Sequence, residues 1–184
     1  DWMGDAIEND IGDPTAMCLA TATPDGRPSQ RVVLLKGYSA LGFVFFTNLA
    51  SRKAIEIKKN PRACLHFPWL NLDRQVIIEG DVYPIDREDV ENYFVQRPVE
   101  ARLAAWASKQ SKPIRNRACL EKRYQDISQR FADTDISVPD FWGGYRVVPE
   151  NFEFWQGGEH RLHDRFIYSK NESDSTWTIS RLAP

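Results

Sequence analysis

"AMCLATATPDGRPSQRVVLLK", residues 16–36, is the stretch on which the fold turns. "AMCLATAT" (16–23) reads as a strand of small and apolar residues. "PDGRP" (24–28) puts Pro and Gly where a tight turn needs them. "SQRVVLLK" (29–36) then reads as a second strand, so the whole is a hairpin. "GFVFFT" (42–47), "RACLHFPW" (62–69) and "RQVIIEGDVYP" (74–84) follow as further strands. Short connections between successive strands imply antiparallel pairing. Several of these strands are apolar on both faces, and a long sheet of that kind buries itself best by closing into a barrel.

Working outward, "ASRKAIEIKKN" (50–60) reads as a short helix with Ser51 as its cap and Ala54, Ile55 and Ile57 as its apolar side. Asn60-Pro61 ends it. Helices are expected over 86–97, 99–109 and 116–131, where apolar residues recur every three or four positions. A polar linker over 133–140 leads back to strands at 143–149, 151–156, 160–169 and 176–182. The expected class is mainly β with helices (α+β), an antiparallel barrel with the helices packed outside it. The opening "DWMGDAIEND" reads as a helix entered midway, with the natural chain beginning earlier.

The chain has 184 residues, 42% hydrophobic and 27% charged, which suits one domain over 1–184. A formal net charge of -2 argues against nucleic-acid and membrane-surface binding, both of which favour a basic excess. No apolar run approaches the ~18 residues of a membrane span. Three cysteines without close spacing fit reduced thiols and a cytoplasmic setting. No GxGxxG or P-loop is present, so a nucleotide would have to be held some other way.

Positive charge is nonetheless concentrated locally. Arg52 and Lys53 stand in the first turn of a helix, where they cost about 0.3–1 kcal/mol unless an anion compensates. Arg31 and Lys36 bracket the apolar run Val32, Val33, Leu34 and Leu35; strict alternation puts the two cations on opposite faces unless the strand bends. Tyr93 and Arg97 share a helix face and form a clamp for phosphate or carboxylate. In "WQGGEHRLHDRF" (155–166), read as a strand, Arg161, His163 and Arg165 lie on one side. His160 and His163 are too incomplete a set for a metal, and none is expected. These clamps exceed what one phosphate needs, which suggests two phosphorylated ligands or one large one.

"QRVVLLK", "FFTNLASRKA", "RQVIIEG", "WASKQS", "FWGGYRV" and "FEFWQGGEHRLHDRF", in this order, resemble the pyridoxamine/pyridoxine 5′-phosphate oxidase family from about residue 13 to the C-terminus. The resemblance implies a split β-barrel homodimer with FMN at the subunit interface. It implies oxidation of pyridoxamine and pyridoxine 5′-phosphates to pyridoxal 5′-phosphate, with O2 reduced to H2O2. Arg31, Val32, Val33, Leu34, Leu35 and Lys36 match the strand lying along FMN. Phe46, Thr47, Arg52, Lys53, Gln75, Gln110, Ser111, Trp155 and Arg165 match further FMN contacts, some from the partner subunit. Lys36, Tyr93 and Arg97 match the substrate-phosphate clamp, and Arg161 and His163 the catalytic residues over the substrate ring. Phe46 stands where the family often has Tyr. Ala101 stands where a Ser commonly adds a phosphate contact. Two other functions fit the same residues: a split-barrel flavin oxidase of another pathway, and a non-catalytic protein that binds FMN or pyridoxal phosphate.

Overall fold

The computed structural model describes residues 1–9, 12–171 and 173–184. Asp10, at the end of the opening stretch, lies outside the described residues. Strands β1 (Ala16–Ala22), β2 (Pro28–Leu34), β3 (Gly37–Ser39), β4 (Gly42–Asn48), β5 (Arg62–Trp69), β6 (Arg74–Pro84), β7 (Trp142–Gln156), β8 (Asp164–Lys170) and β9 (Trp177–Leu182) form one antiparallel sheet. Helices α1 (Trp2–Glu8), α2 (Arg52–Lys59), α3 (Arg87–Gln96), α4 (Val99–Ala107) and α5 (Arg117–Arg130) complete the described elements.

The hairpin forms as expected, with Ala16 opposite Leu34 and Ala22 opposite Pro28. Along the sheet the order is β2-β1-β5-β6-β7-β4-β3. Its two outermost strands, β2 and β3, are adjacent in the chain, so the path closes through the backbone. Leu35 and Lys36 make that seam: Leu35 N–H donates back to Thr15 O on the β1 side (2.9 Å), and Lys36 N–H to Val44 O on β4 (2.8 Å). The result is a curled, split barrel. Inside it Met17, Leu19, Phe45, Leu65, Phe67, Ile78 and Val147 are buried. Ala54 and Ile57 of α2 join the same cluster. A second cluster joins α3 and α4 to Ile136 and Trp142.

Three expectations change. Residues 143–149 and 151–156 are one fifteen-residue strand rather than two. Pro149 is accommodated because the ladder with β6 slips there, between Glu79 and Gly80, and a bulge tolerates a residue with no N–H to donate. The short β3, unread in the sequence, is the continuation of β2 after the seam. Finally, residues 160–163 are not strand. Glu159–Arg161 form a 3-10 turn in which His160 and Arg161 have φ of 55° and 63°, and β8 begins only at Asp164. The alternation that put Arg161, His163 and Arg165 side by side therefore does not exist. The glycine pair before the turn lets the chain leave the sheet, and Leu162 N–H closes it on Glu159 O (3.0 Å).

α2 is capped by Ser51 as expected, but its buried face carries Lys53 and Glu56 beside Ala54 and Ile57, while Ile55 is 39% exposed. Cys18, Cys64 and Cys119 are free thiols. Burial, with Glu79 nearby, pushes the Cys64 thiol up to about 11, which leaves it unreactive at neutral pH. Among the described residues no helix is long and apolar enough to cross a membrane.

Candidate active site

A cleft of about 460 Å³ opens where the seam, β4, α2, α3 and the end of α4 meet. Lys36 enters it from the seam, Phe46 and Thr47 from β4, Lys53 from α2, and Tyr93 and Arg97 from the C-terminal end of α3. Gln110 closes one side and Ala101 the other. Val32, Val33 and Leu34 add an apolar wall, whereas Leu35 turns into the core.

Lys53 is buried, and its ammonium donates to Thr47 Oγ1 and Gln110 Oε1, both at 3.1 Å. Burial, and then the nearby Arg31 charge, pull its pKa down to about 8. Beside it the Arg52 backbone N–H donates to Ser111 Oγ (3.1 Å), so Gln110 and Ser111 close over the first turn of α2. At the other end the Arg97 guanidinium lies over the Trp142 ring, 4.8 Å from its centroid. Its Nη1 is buried with no hydrogen-bond partner among the described residues. An unpaired buried donor of a charged group costs at least about 1–3 kcal/mol, so this arrangement is suited to an anionic acceptor. Burial lowers the Arg97 pKa, with Tyr93 opposing. Tyr93 itself stacks on Phe46 at 4.0 Å, and Phe46 on Trp142 at 5.3 Å, so Phe46 supports the clamp through its ring alone.

Arg31 is not in this cleft. Its guanidinium turns to the opposite face of β2 and reaches Thr21 Oγ1, Ser29 Oγ and Leu19 O. Alternation along the strand thus holds: Lys36 shares the cleft face with Val32 and Leu34, and Arg31 lies on the other.

The remaining residues gather elsewhere. Gln75, Trp155 and Arg165 are direct cross-strand neighbours on β6, β7 and β8. Gln75 Oε1 is 3.0 Å from His66 Nε2. Arg165 pairs with Glu153 at 2.8 Å and donates to Ala183 O at 3.0 Å. The His163 ring lies 4.7 Å from Trp155, and its Nδ1 accepts the Gly158 N–H (3.2 Å), so the neutral ring carries its proton on Nε2. Arg161 is exposed on its turn. Trp142, Glu56, Glu153 and His66 are the residues that sequence reading missed. Only Trp142 left a signal, within "FWGGYRV".

These two groups are far apart in one chain. Thr47 pairs with Gly143 and Arg165 with Trp155, twelve residues further along β7. That is about 40 Å of strand at ~3.3 Å per residue, less whatever its bend removes. A single small ligand does not span it. Val32, Leu162 and Ile179 are meanwhile 66%, 73% and 56% exposed, apolar surface of a kind a second copy covers. Among the described residues no set of three or more His, Cys, Asp or Glu gathers as metal ligands would.

Fold and site together define the class, a split β-barrel with a cationic cleft suited to a phosphorylated ligand. Residues 3–131 match the profile of the pyridoxamine 5′-phosphate oxidase family, and residues 142–184 that of the pyridoxine 5′-phosphate oxidase C-terminal dimerisation region. The pyridoxine/pyridoxamine 5′-phosphate oxidase of Pseudoalteromonas atlantica is 52% identical over 183 residues, covering all of this chain and 85% of its own length. That of Aliivibrio fischeri is 50% identical over 183 residues, covering all of this chain and 86% of its own length. Among solved structures, PhzG from Burkholderia lata, in complex with tetrahydrophenazine-1-carboxylic acid, superposes with a TM-score of 0.93 at 29% identity, covering all of this chain and 89% of that one. An FMN-binding, pyridoxamine 5′-phosphate oxidase-related protein from Nostoc punctiforme shares the fold (TM-score 0.79, 19% identity, covering all of this chain and 96% of that one). The chain belongs to the pyridoxine/pyridoxamine 5′-phosphate oxidase family.

Proposed function

We propose that the protein is an FMN-dependent homodimeric oxidase that converts pyridoxamine and pyridoxine 5′-phosphates to pyridoxal 5′-phosphate. The observation that carries this is the buried, unpartnered Nη1 of Arg97, held over Trp142 in the same cleft as Lys36 and Tyr93. It is a phosphate clamp with a donor to spare. The FMN fit rests on a separate set at the first turn of α2: Lys53, Thr47, Gln110, Ser111 and the positive end of the helix dipole. Held there, FMN would supply the redox chemistry: it would accept a hydride from the substrate's 4′ carbon, with O2 as the final acceptor giving H2O2.

The chain's own residues position and exclude. In this reading Lys36, Tyr93 and Arg97 hold the substrate phosphate. Val32, Val33 and Leu34 wall the flavin. Gln75, Trp155 and Arg165 of the partner chain complete the ring site. Arg161 and His163 cover the substrate's far face, where His163, its Nδ1 occupied by the Gly158 N–H, orients the substrate by donating from Nε2. Hydride transfer needs the reacting atoms ~3–3.5 Å apart, so most of the catalysis is alignment.

The test is anaerobic addition of each B6 phosphate to the yellow protein. The flavin band should bleach, then return with air as one peroxide per turnover appears. A colourless protein that takes up no FMN would overturn the cofactor. A second reading, an oxidase acting on a carboxylated polycycle, is favoured by the PhzG likeness and by Ala101 in the cleft wall. It predicts bleaching by a tetrahydrophenazine carboxylate and none by the B6 phosphates.

Lys53 makes binding pH-dependent. With its pKa near 8, it is charged at pH 7 and loses its proton just above. FMN affinity is expected to fall by up to tenfold per pH unit above pH 8, while riboflavin, lacking the phosphate, changes little. Stability runs the other way. The folded pKa lies below the ordinary 10.5, so the unfolded chain binds the extra proton and the apoprotein gains stability as pH rises from about 8 to 10.5. Fluorescence titration and thermal melts at pH 7, 8 and 9 check both slopes. A flat FMN affinity would remove Lys53 from the phosphate site.

A further inference from the structure

Glu56 is a buried carboxylate one turn beyond Arg52 and Lys53 on α2, with a side chain 5% exposed. Four groups converge on it. Oε1 accepts Arg52 Nε at 2.8 Å. Oε2 accepts the hydroxyls of Thr21 (2.5 Å) and Ser29 (2.6 Å), and Arg31 Nη2 stands 3.6 Å away. The two hydroxyls are relays. Thr21 Oγ1 and Ser29 Oγ each accept from the Arg31 guanidinium (2.6 and 2.5 Å) while donating to Glu56. Each hydroxyl has one proton, so this direction is imposed by the carboxylate at one end and the guanidinium at the other. Burial alone would raise the Glu56 pKa; the hydrogen bonds from Ser29, Thr21 and Arg52 outweigh it and hold the group at about 2.

Tethering α2 to the barrel would not need this much. Ala54 and Ile57 already pack α2 into the core. What Glu56 adds is a fixed direction for two guanidinium groups: that of Arg52 at the helix start, and that of Arg31 on β2, which lies outside the cleft but close enough for its charge to act on Lys53. We propose that Glu56 is a positioning residue for the FMN phosphate, locking Arg52 directly and Arg31 through Thr21 and Ser29. The proposal rests on the FMN reading above and deepens it.

Two consequences of removing the charge oppose each other. Losing a negative group near the phosphate would tighten FMN binding. Losing the direction of Arg31 and Arg52 would loosen it, because an amide presents N–H to at least one donor set that a carboxylate accepts from. The proposal commits to loosening. In Glu56→Gln the FMN dissociation constant, read by flavin fluorescence quenching, should rise about tenfold, with that for riboflavin unchanged. Ser29→Ala, which breaks one relay and leaves Glu56 in place, should show the same selectivity with a rise of about threefold. It keeps the test alive if Glu56→Gln does not fold. Equal losses for both flavins would make Glu56 a structural tether and overturn the proposal. So would unchanged or tighter FMN binding. A wild-type protein that does not prefer FMN to riboflavin would instead strike at the FMN reading itself.

Discussion

Mixing two inactive variants, Lys36→Ala and Arg161→Ala, is expected to restore about a quarter of wild-type turnover. Each alone should lose more than about a hundredfold, since in the proposed function each removes a charged contact to a substrate that must be aligned closely. Both side chains are exposed, so neither change disturbs the core. If the cleft of one chain is completed by the C-terminal turn of the other, a mixed dimer has one site with both lesions and one with neither. Random exchange makes about half the dimers mixed, and half of their sites are intact. The control is Lys36→Ala with Arg97→Ala. Both lesions then lie in the cleft, every site carries one, and no rescue follows. Activity measured after co-expression or exchange decides it. If the first pair stays dead while mixed dimers are demonstrated, the two groups do not meet across an interface, and the 40 Å of strand between them needs another explanation.

What could be read in the sequence was local. The 16–36 hairpin is specified by its own turn residues, and α2 by its own cap, so both appear as expected. Two of the misreadings share a cause: the deciding partner is distant in sequence. Pro149 looked like a strand end because its tolerance depends on the bulge at Gly80, on another strand. Glu56 was invisible because Thr21, Ser29 and Arg31 lie 25 to 35 positions earlier, and a helix pattern says only that Ala54, Ile55 and Ile57 are apolar. "HRLHDR" alternates like a strand, yet a positive φ at two successive residues takes it out of the sheet. The cleft side chains were individually legible, since chemistry marks a clamp. Their separation from Arg161, His163 and Arg165 was not, because a list of positions carries no distance.

Two glycines that meet nearly the same obstacle should fail in different ways. A Cβ on Gly80 would sit 2.0 Å from Val148 O, and one on Gly158 2.3 Å from Leu162 O. Both are backbone collisions, so something must move. Gly80 lies in β6, paired to β5 and β7, at the bulge that bends the longest strand. Nothing there yields without opening a ladder on which the core depends. Gly80→Ala is expected to cost about 3 kcal/mol and lower the melting temperature by about 6–12 °C for a chain of this size. Gly158 faces a turn that, within its own chain, is exposed and packs on little, so it gives way with less loss than a paired strand. That turn carries Arg161, and its Gly158 N–H holds His163 Nδ1. Gly158→Ala should therefore leave the melting temperature within about 2 °C of wild type and reduce turnover at least tenfold, since a displacement of about 1 Å at the reacting groups can cost a hundredfold. Thermal melts and steady-state rates on the two variants separate the cases. A Gly158→Ala protein with full turnover would mean that Arg161 and His163 act without a fixed position, and the alignment argument for this oxidase would fail with it.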